Sequence, residues 1–353
     1  MTEIYYVGMD VHKAITVIVV IDSTGKEVRR FLVETKSSVL VDTIKSIRGE
    51  VHLTLEEGIH SQWLYDLLSP YVTRLIVCNP RYNKLIQEGN KSDDIDAFRL
   101  ADLLRIGSLK AVYKGENSLR KLQQLARSYL YLVQDSTRIK NRIKALYRSR
   151  GIVCEGESAY HREKRKSYLK QLTEPGMRLR AELLYKELDS IEPLAEQAKA
   201  VMIAEARRHS AYKLLKTIPS LGPIRVSLIM AVMLTPHRFR TKRQLWTYIG
   251  LAVKTHSSSD YEKQDGRIKK TKRYEVVKGL NKNFNRILKM VFKMAARSVR
   301  KGVLKDYLDT LLAKGTNSQM AMLTLARKIA ALVLSVWKKG EKFEAKKFVY
   351  QKI

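Results

Sequence analysis

The sequence predicts a chain in three parts: an α/β region over residues 1–112, a long helical region over 113–208, and a mainly helical C-terminal region over 209–353. Three observations carry that reading. Strand and helix signals alternate up to about residue 110, the apolar residues then step by threes and fours, and short apolar helices and a dense Lys/Arg run follow.

In the first part, the apolar run of YYVGMD reaches Asp10, and a second β-branched run, AITVIVVI, follows before the turn Ser23-Thr24-Gly25. That pattern predicts a β-hairpin carrying Asp10 inward. VHLTLEE reads as a later strand ending at Glu56, with Gly58 permitting a tight exit. RLIVCNP reads as a further strand, and QWLYDLLS and DAFRLADLLRIG as helices. Ser92 or Asp93 is placed to cap the second of these helices, and a spacing of three puts Asp93 and Asp96 on one face.

From about 118 to 149, Leu125, Tyr129, Leu132, Ser136, Ile139, Ile143 and Leu146 form a stripe with Arg and Lys between them, which predicts a long helix with a coiled-coil-like seam. Residues 151–176 are polar, with Gly151, Gly156 and Pro175. A second helical pattern follows from LRAELL to ARRH, so the two helices are expected to fold back as a hairpin. In the third part, Ile218, Pro219, Leu221 and Gly222 form an apolar turn between two helices, a helix-hairpin-helix-like element. Its Gly222 and following N–H groups suit a phosphate at a helix N-terminus. Ser257, Ser258 and Ser259 follow an apolar helix, with His256 beside them.

Asp10, Glu56, Asp93 and Asp96 are hard oxygen donors without an assigned His or Cys companion, a set that favours Mg²⁺ over zinc. The plain alternative is that they are solvated surface charges. His12 and His60 lie near these acids and carry no assignment. The 67 Lys plus Arg against 35 Asp plus Glu give a formal charge of +32 over 353 residues. Such an excess repels itself and calls for a polyanionic partner. The longest basic stretch, 263–301, offers Arg267, Lys269, Lys270, Lys272, Arg273, Lys282 and Arg286 to phosphates. A serine near that run suits phosphodiester chemistry, because a hydroxyl nucleophile stores the bond energy covalently. Only Cys78 and Cys154 are present, which excludes a disulfide framework and a Cys-rich zinc site. Arg327 and Lys328 interrupt the most apolar late segment, so a membrane span is not expected, and the chain reads as soluble and intracellular.

The segments MDVHK, LEEG, KSDDIDA, IPSLGPI, YIGLA and SSSDY, in that order, resemble the DEDD transposases of the insertion-sequence IS110 family over essentially the whole chain. KSDDIDA is the most specific of them, similar to the family's Lys-Thr-Asp-x-x-Asp-Ala. The resemblance implies an RNase H-like, RuvC-type N-terminal domain, a coiled-coil insertion and a C-terminal transposase domain. It implies Mg²⁺ on Asp10, Glu56, Asp93 and Asp96, with Glu57 the competitor of Glu56. It also implies a catalytic serine: counting from Gly250-Leu251 favours Ser258, then Ser257, then Ser259. The GLNKNFNRILK element is similar to a stretch in one branch of the family. The expected protein is a mobile-element recombinase that cuts and rejoins donor and target DNA through a serine–DNA link, guided by a structured noncoding RNA. A homodimer or homotetramer in a bacterial or archaeal cytoplasm, associated with the nucleoid, completes the expectation. Rival readings are a Holliday-junction-resolving nuclease that uses the same acids and water, and a non-catalytic nucleic-acid-binding protein.

Overall fold

The computed structural model describes residues 3–80, 92–112, 114, 119–258, 261–264, 267–270 and 274–349. The chain divides into two compact units, Met1–Asn117 and Ser118–Ile353.

The first unit is built on a mixed sheet. Strands β1 (Ile4–Val11), β2 (Ile15–Ile21) and β3 (Glu27–Glu34) pair antiparallel, while β4 (Glu50–Glu56) and β5 (Arg74–Cys78) add in parallel on the other side of β1. The strand order is β3-β2-β1-β4-β5. Both faces are covered, which is why β2 reads as the uninterrupted run ITVIVVI rather than as an alternation. On one face Val7, Met9, Ile18, Val20, Leu53 and Leu55 pack against Leu40 and Ile44 of α1 (Ser37–Lys45) and Leu64 and Leu68 of α2 (Ser61–Leu68). On the other, Val17, Val19 and Ile21 meet Ala97 and Ala101 of α3 (Asp93–Arg105). The helix sits so close that a Cβ on Gly8 would lie 2.0 Å from the Ala97 carbonyl oxygen, so only glycine is accommodated there.

The second unit opens with a helical hairpin. Helix α4 (Arg120–Arg148) runs antiparallel to α6 (Pro175–Arg207), with α5 (Arg162–Lys170) between them in sequence. Lys121–Glu205 at 3.2 Å, Lys140–Glu192 at 2.8 Å and Arg150–Glu174 at 2.7 Å mark the antiparallel register. The hairpin has two cores. Leu122, Ala126 and Leu130 join the main C-terminal core, with Leu125 and Tyr129 partly buried beside them. Farther along, Ile139, Ile143, Leu146 and Tyr147 form a separate cluster with Ala159, Leu172, Leu184, Tyr185 and Leu188.

Past the hairpin come α7 (Ser210–Leu215), α8 (Pro223–Met233) and α9 (Lys242–Tyr248), then strands β6 (Val253–Ser258), β7 (Tyr261–Gln264), β8 (Arg267–Lys270) and β9 (Tyr274–Leu280). Helices α10 (Arg286–Arg297), α11 (Val303–Ala313), α12 (Ser318–Lys339) and α13 (Ala345–Val349) end the described chain. Helix α12 is long and apolar enough to cross a membrane by length and composition alone. Its Leu325, Ala326, Ile329, Ala330 and Val333 are instead buried in the C-terminal core, whose demands explain its apolarity.

Candidate active site

Asp10 is the penultimate residue of β1 and Glu56 closes β4. Met9 and Leu55 are paired in parallel register, so Asp10 and Glu56 come next on adjacent strands. Side chains alternate along a strand, which turns both toward the α3 face, the face of Gly8. Glu56 is half-buried at this edge, whereas Glu57 is exposed. Glu57 contributes its backbone N–H to the Cys78 carbonyl at 2.9 Å.

The remaining acids arrive on the first turn of α3, where Ser92 Oγ accepts from the Ile95 N–H as the cap. Negative side chains suit that positive helix end. The three neighbouring aspartates divide: Asp94 turns to Arg30 of β3 at 3.0 Å, while Asp93 and Asp96 stay with the site. Between Asp10 and Asp93 stands His12, its Nε2 at 3.2 Å from Asp10 Oδ2 and 3.3 Å from Asp93 Oδ1. One donor atom from each of Asp10, His12 and Asp93 lies within 4.8 Å of the others. Burial, reinforced by the Asp93 and Asp96 charges, pushes the Asp10 carboxyl above the usual carboxylate range, and His12 pulls against it. Asp10 in turn raises His12. Among the described residues, Asp96 Oδ1 is buried without a hydrogen-bond partner. Converging acids and an orphaned carboxylate oxygen are what a divalent cation would satisfy, so the residues fit a metal.

His12 is the site residue the sequence reading left unassigned. Its only signal is its position two residues after Asp10 in MDVHK, just past the strand end.

The serines belong to the second unit. Ser257 and Ser258 end strand β6, paired with Glu275 and Tyr274 of β9. Ser259 lies outside the described residues, as do Lys272 and Arg273. The root of this hairpin is tightly tied. Asn281 donates its N–H to Ala252 O at 3.1 Å and Nδ2 to Thr247 O at 3.0 Å, and the Asn285 N–H reaches Tyr248 O at 2.8 Å. Gly250 has φ +67°, and the Phe284 ring would be 2.4 Å from any Cβ placed there. Arg327 Nε donates to Leu251 O at 2.6 Å, and Trp246 Nε1 to Arg327 O at 3.0 Å. YIGLA and GLNKNFNR are therefore two sides of one packed root.

Gly222 caps α8 with an extended backbone, and a Cβ there would meet nothing within 4 Å, so the turn is open to close approach. Ser220 carries the positive φ of the turn, +71°, and Arg225 Nη1 fixes it by donating to Ser220 O at 2.8 Å and Ser298 Oγ at 2.9 Å. Arg267, Lys269 and Lys270 lie on β8 opposite Gln264, Glu262 and Tyr261. Lys282 is exposed in the root loop and Arg286 opens α10.

The arrangement of acids on a mixed sheet followed by a helical unit agrees with two family models. A DEDD transposase model of the IS110 type matches residues 7–149, which hold all four acids. A model described as transposase, IS116/IS110/IS902 family, matches residues 212–308, which hold Gly222 and the serines. A transposase for insertion sequence element IS1111A from Coxiella burnetii (strain RSA 493 / Nine Mile phase I) is 23% identical over 310 residues, covering 86% of this chain and 80% of that protein. Matches to transposases along both units define a DNA-processing enzyme. The chain belongs to the IS110 family of transposases.

Proposed function

We propose that this transposase is a Mg²⁺-dependent recombinase in which Asp10, Glu56, Asp93 and Asp96 hold the metal and Ser258 forms a covalent link to DNA. The observation that carries the metal half is the convergence of Asp10, His12 and Asp93 beside the orphaned Asp96 oxygen. Bound there, a divalent cation supplies charge for the oxygens of a phosphodiester under attack. The strand order β3-β2-β1-β4-β5, antiparallel then parallel, supports an RNase H-like, RuvC-type reading of residues 1–112. On the same reading residues 113–208 serve as the coiled-coil region and 209–353 as the transposase domain.

In the covalent step the serine Oγ bonds to phosphorus as its proton leaves to a base, and one P–O bond to deoxyribose breaks, releasing a free hydroxyl. Attack by a second strand's hydroxyl reverses the balance and rejoins the DNA. Ser257 is the alternative nucleophile. The open Gly222 turn and the cations Arg267, Lys269, Lys270, Lys272, Arg273, Lys282 and Arg286 hold nucleic-acid phosphates in this reading. The charge of +32 supports a structured noncoding guide RNA beside the DNA. Assembly as a dimer or tetramer belongs to the same proposal.

The test of the metal half is calorimetric titration of the protein with Mg²⁺ and Mn²⁺, paired with cleavage of labelled donor DNA. Asp10→Asn and Asp93→Asn should lose both binding and cleavage. Cleavage that persists in a chelator with wild-type protein would refute the metal.

A further inference from the structure

We infer that the outer face of helix α10, Arg286–Arg297, is a docking surface for double-stranded DNA, with Arg286, Lys289, Lys293 and Arg297 on phosphates and Met290 and Met294 against the groove edge between them. The inference rests on the DNA-acting reading and adds a surface to it.

The helix RILKMVFKMAAR is two-faced. Leu288, Val291, Phe292, Ala295 and Ala296 are buried in the C-terminal core, while the six residues named above line a shallow groove on the other side. At about 100° per residue they share an arc of about 140° and extend about 16 Å along the axis. The helix carries four cations and no acid. Among the described residues, none of the four has a carboxylate within ion-pair distance. Cations of the helical hairpin do find such partners, Lys121 with Glu205 and Lys140 with Glu192 among them.

The placement is costly without an anion. Arg286 and Lys289 occupy the first turn, where the helix dipole disfavours positive charge, and no acidic residue sits there to compensate. Lys289 Nζ lies 3.9 Å above the Phe284 ring. Burial and the neighbouring Lys293 hold its ammonium below the usual lysine range. A polyanion laid along the groove offsets the unfavourable helix dipole and the repulsion between Lys289 and Lys293.

Met290 and Met294 are 48% and 45% exposed and stand between the cations. They argue for a ligand with an apolar edge between its charges, as a deoxyribose backbone has. None of the six residues lining the groove is aromatic, which disfavours a single strand. Self-association through this face would set cations against cations. A duplex RNA has a deep, narrow major groove that does not admit a helix, so DNA is the better fit.

The experiment measures binding of the full chain to a mixed-sequence DNA duplex, and to an RNA duplex of the same sequence, across a salt series in a chelator. Three proteins are compared: wild type, the quadruple variant Arg286→Gln/Lys289→Gln/Lys293→Gln/Arg297→Gln, and Met290→Ser/Met294→Ser. All substituted positions lie on the outer face, so the variants should fold, the quadruple variant melting no lower than wild type once its unfavourable charges are removed, and sedimentation reports the oligomeric state. At about 0.9 per phosphate contact, the salt slope for DNA should fall by about 3.6 in the quadruple variant. The methionine variant should bind DNA severalfold more weakly with its slope unchanged. An unchanged slope in a folded quadruple variant overturns the inference, as does a loss confined to the RNA duplex or to self-association. A methionine variant that binds like wild type overturns the groove-edge contact. A protein that binds DNA through this face but, with Mg²⁺, flanking RNA and donor and target DNA, neither cuts nor forms an adduct refutes the proposed reaction and leaves the surface standing.

Discussion

At the scale of single residues, the acid centre is held together against its own charge. Asp10, Asp93 and Asp96 converge, with His12 bridging two of them, so among the described residues these carboxylates repel one another, and a bound cation would relieve that. Replacing Asp93 with Asn should therefore leave the melting temperature unchanged or slightly higher while cutting DNA cleavage by about a hundredfold or more. Thermal melts and a cleavage time course check this pair of outcomes together. Gly8 should behave in the opposite way. A methyl group there collides with the Ala97 carbonyl, so Gly8→Ala should destabilise the first unit by about 1–3 kcal/mol, read by denaturant unfolding. Because the displaced helix carries Asp93 and Asp96, the same variant should also lose Mg²⁺ affinity. The positions of the acids in the fold were legible in the sequence because strand ends and a capped helix turn are local signals. His12 was not, because its place in the cluster depends on where a residue just past a strand end meets a helix some eighty residues later.

Among elements, the helical hairpin shows how a separate small core is secured. Arg165 is nearly buried; it donates to Asp189 at 2.7 Å and to the Tyr160 carbonyl at 3.0 Å, and it stacks 4.6 Å from the Tyr185 ring. The Arg165 hydrogen bond, with Arg162 nearby, holds the Asp189 carboxyl below the usual carboxylate range. A depressed carboxylate adds stability above its unfolded value near 3.9, and that stability is lost as pH falls through the lower folded value. Circular dichroism from pH 6 downward should thus show the hairpin weakening below about pH 4, and Asp189→Asn should flatten that dependence. Its cost at neutral pH should be about 1–2 kcal/mol, discounted because Asp189 is partly exposed. The sequence revealed both long helices through their apolar steps. It did not reveal that the buried line in the first half of α4 runs through Leu122, Ala126 and Leu130, since that choice is made by the helices packed against it. Nor did it reveal the serine strand. VKTHSS carries little strand signal of its own, and its pairing with residues 274–280 is set by the root that Asn281, Asn285 and Phe284 close far along the chain.

For the whole molecule, the candidate acids and the candidate serines fall on different sides of the division of the chain. The acids lie in Met1–Asn117 and the serines in Ser118–Ile353, matched by separate family models. The charge of +32 was visible at once as a demand for a polyanion, but that four of the cations share one face of α10 required the fold. Acids alone would suffice for a hydrolytic nuclease, so the central claim turns on the serine. The decisive measurement is a denaturing gel of the protein incubated with Mg²⁺, RNA from the element's flank and labelled donor and target DNA. A protein–DNA adduct should form with wild type and vanish in Ser258→Ala and in Asp93→Asn. DNA that is cut without any adduct, with Ser257→Ala and Ser258→Ala as active as wild type, would contradict the covalent mechanism.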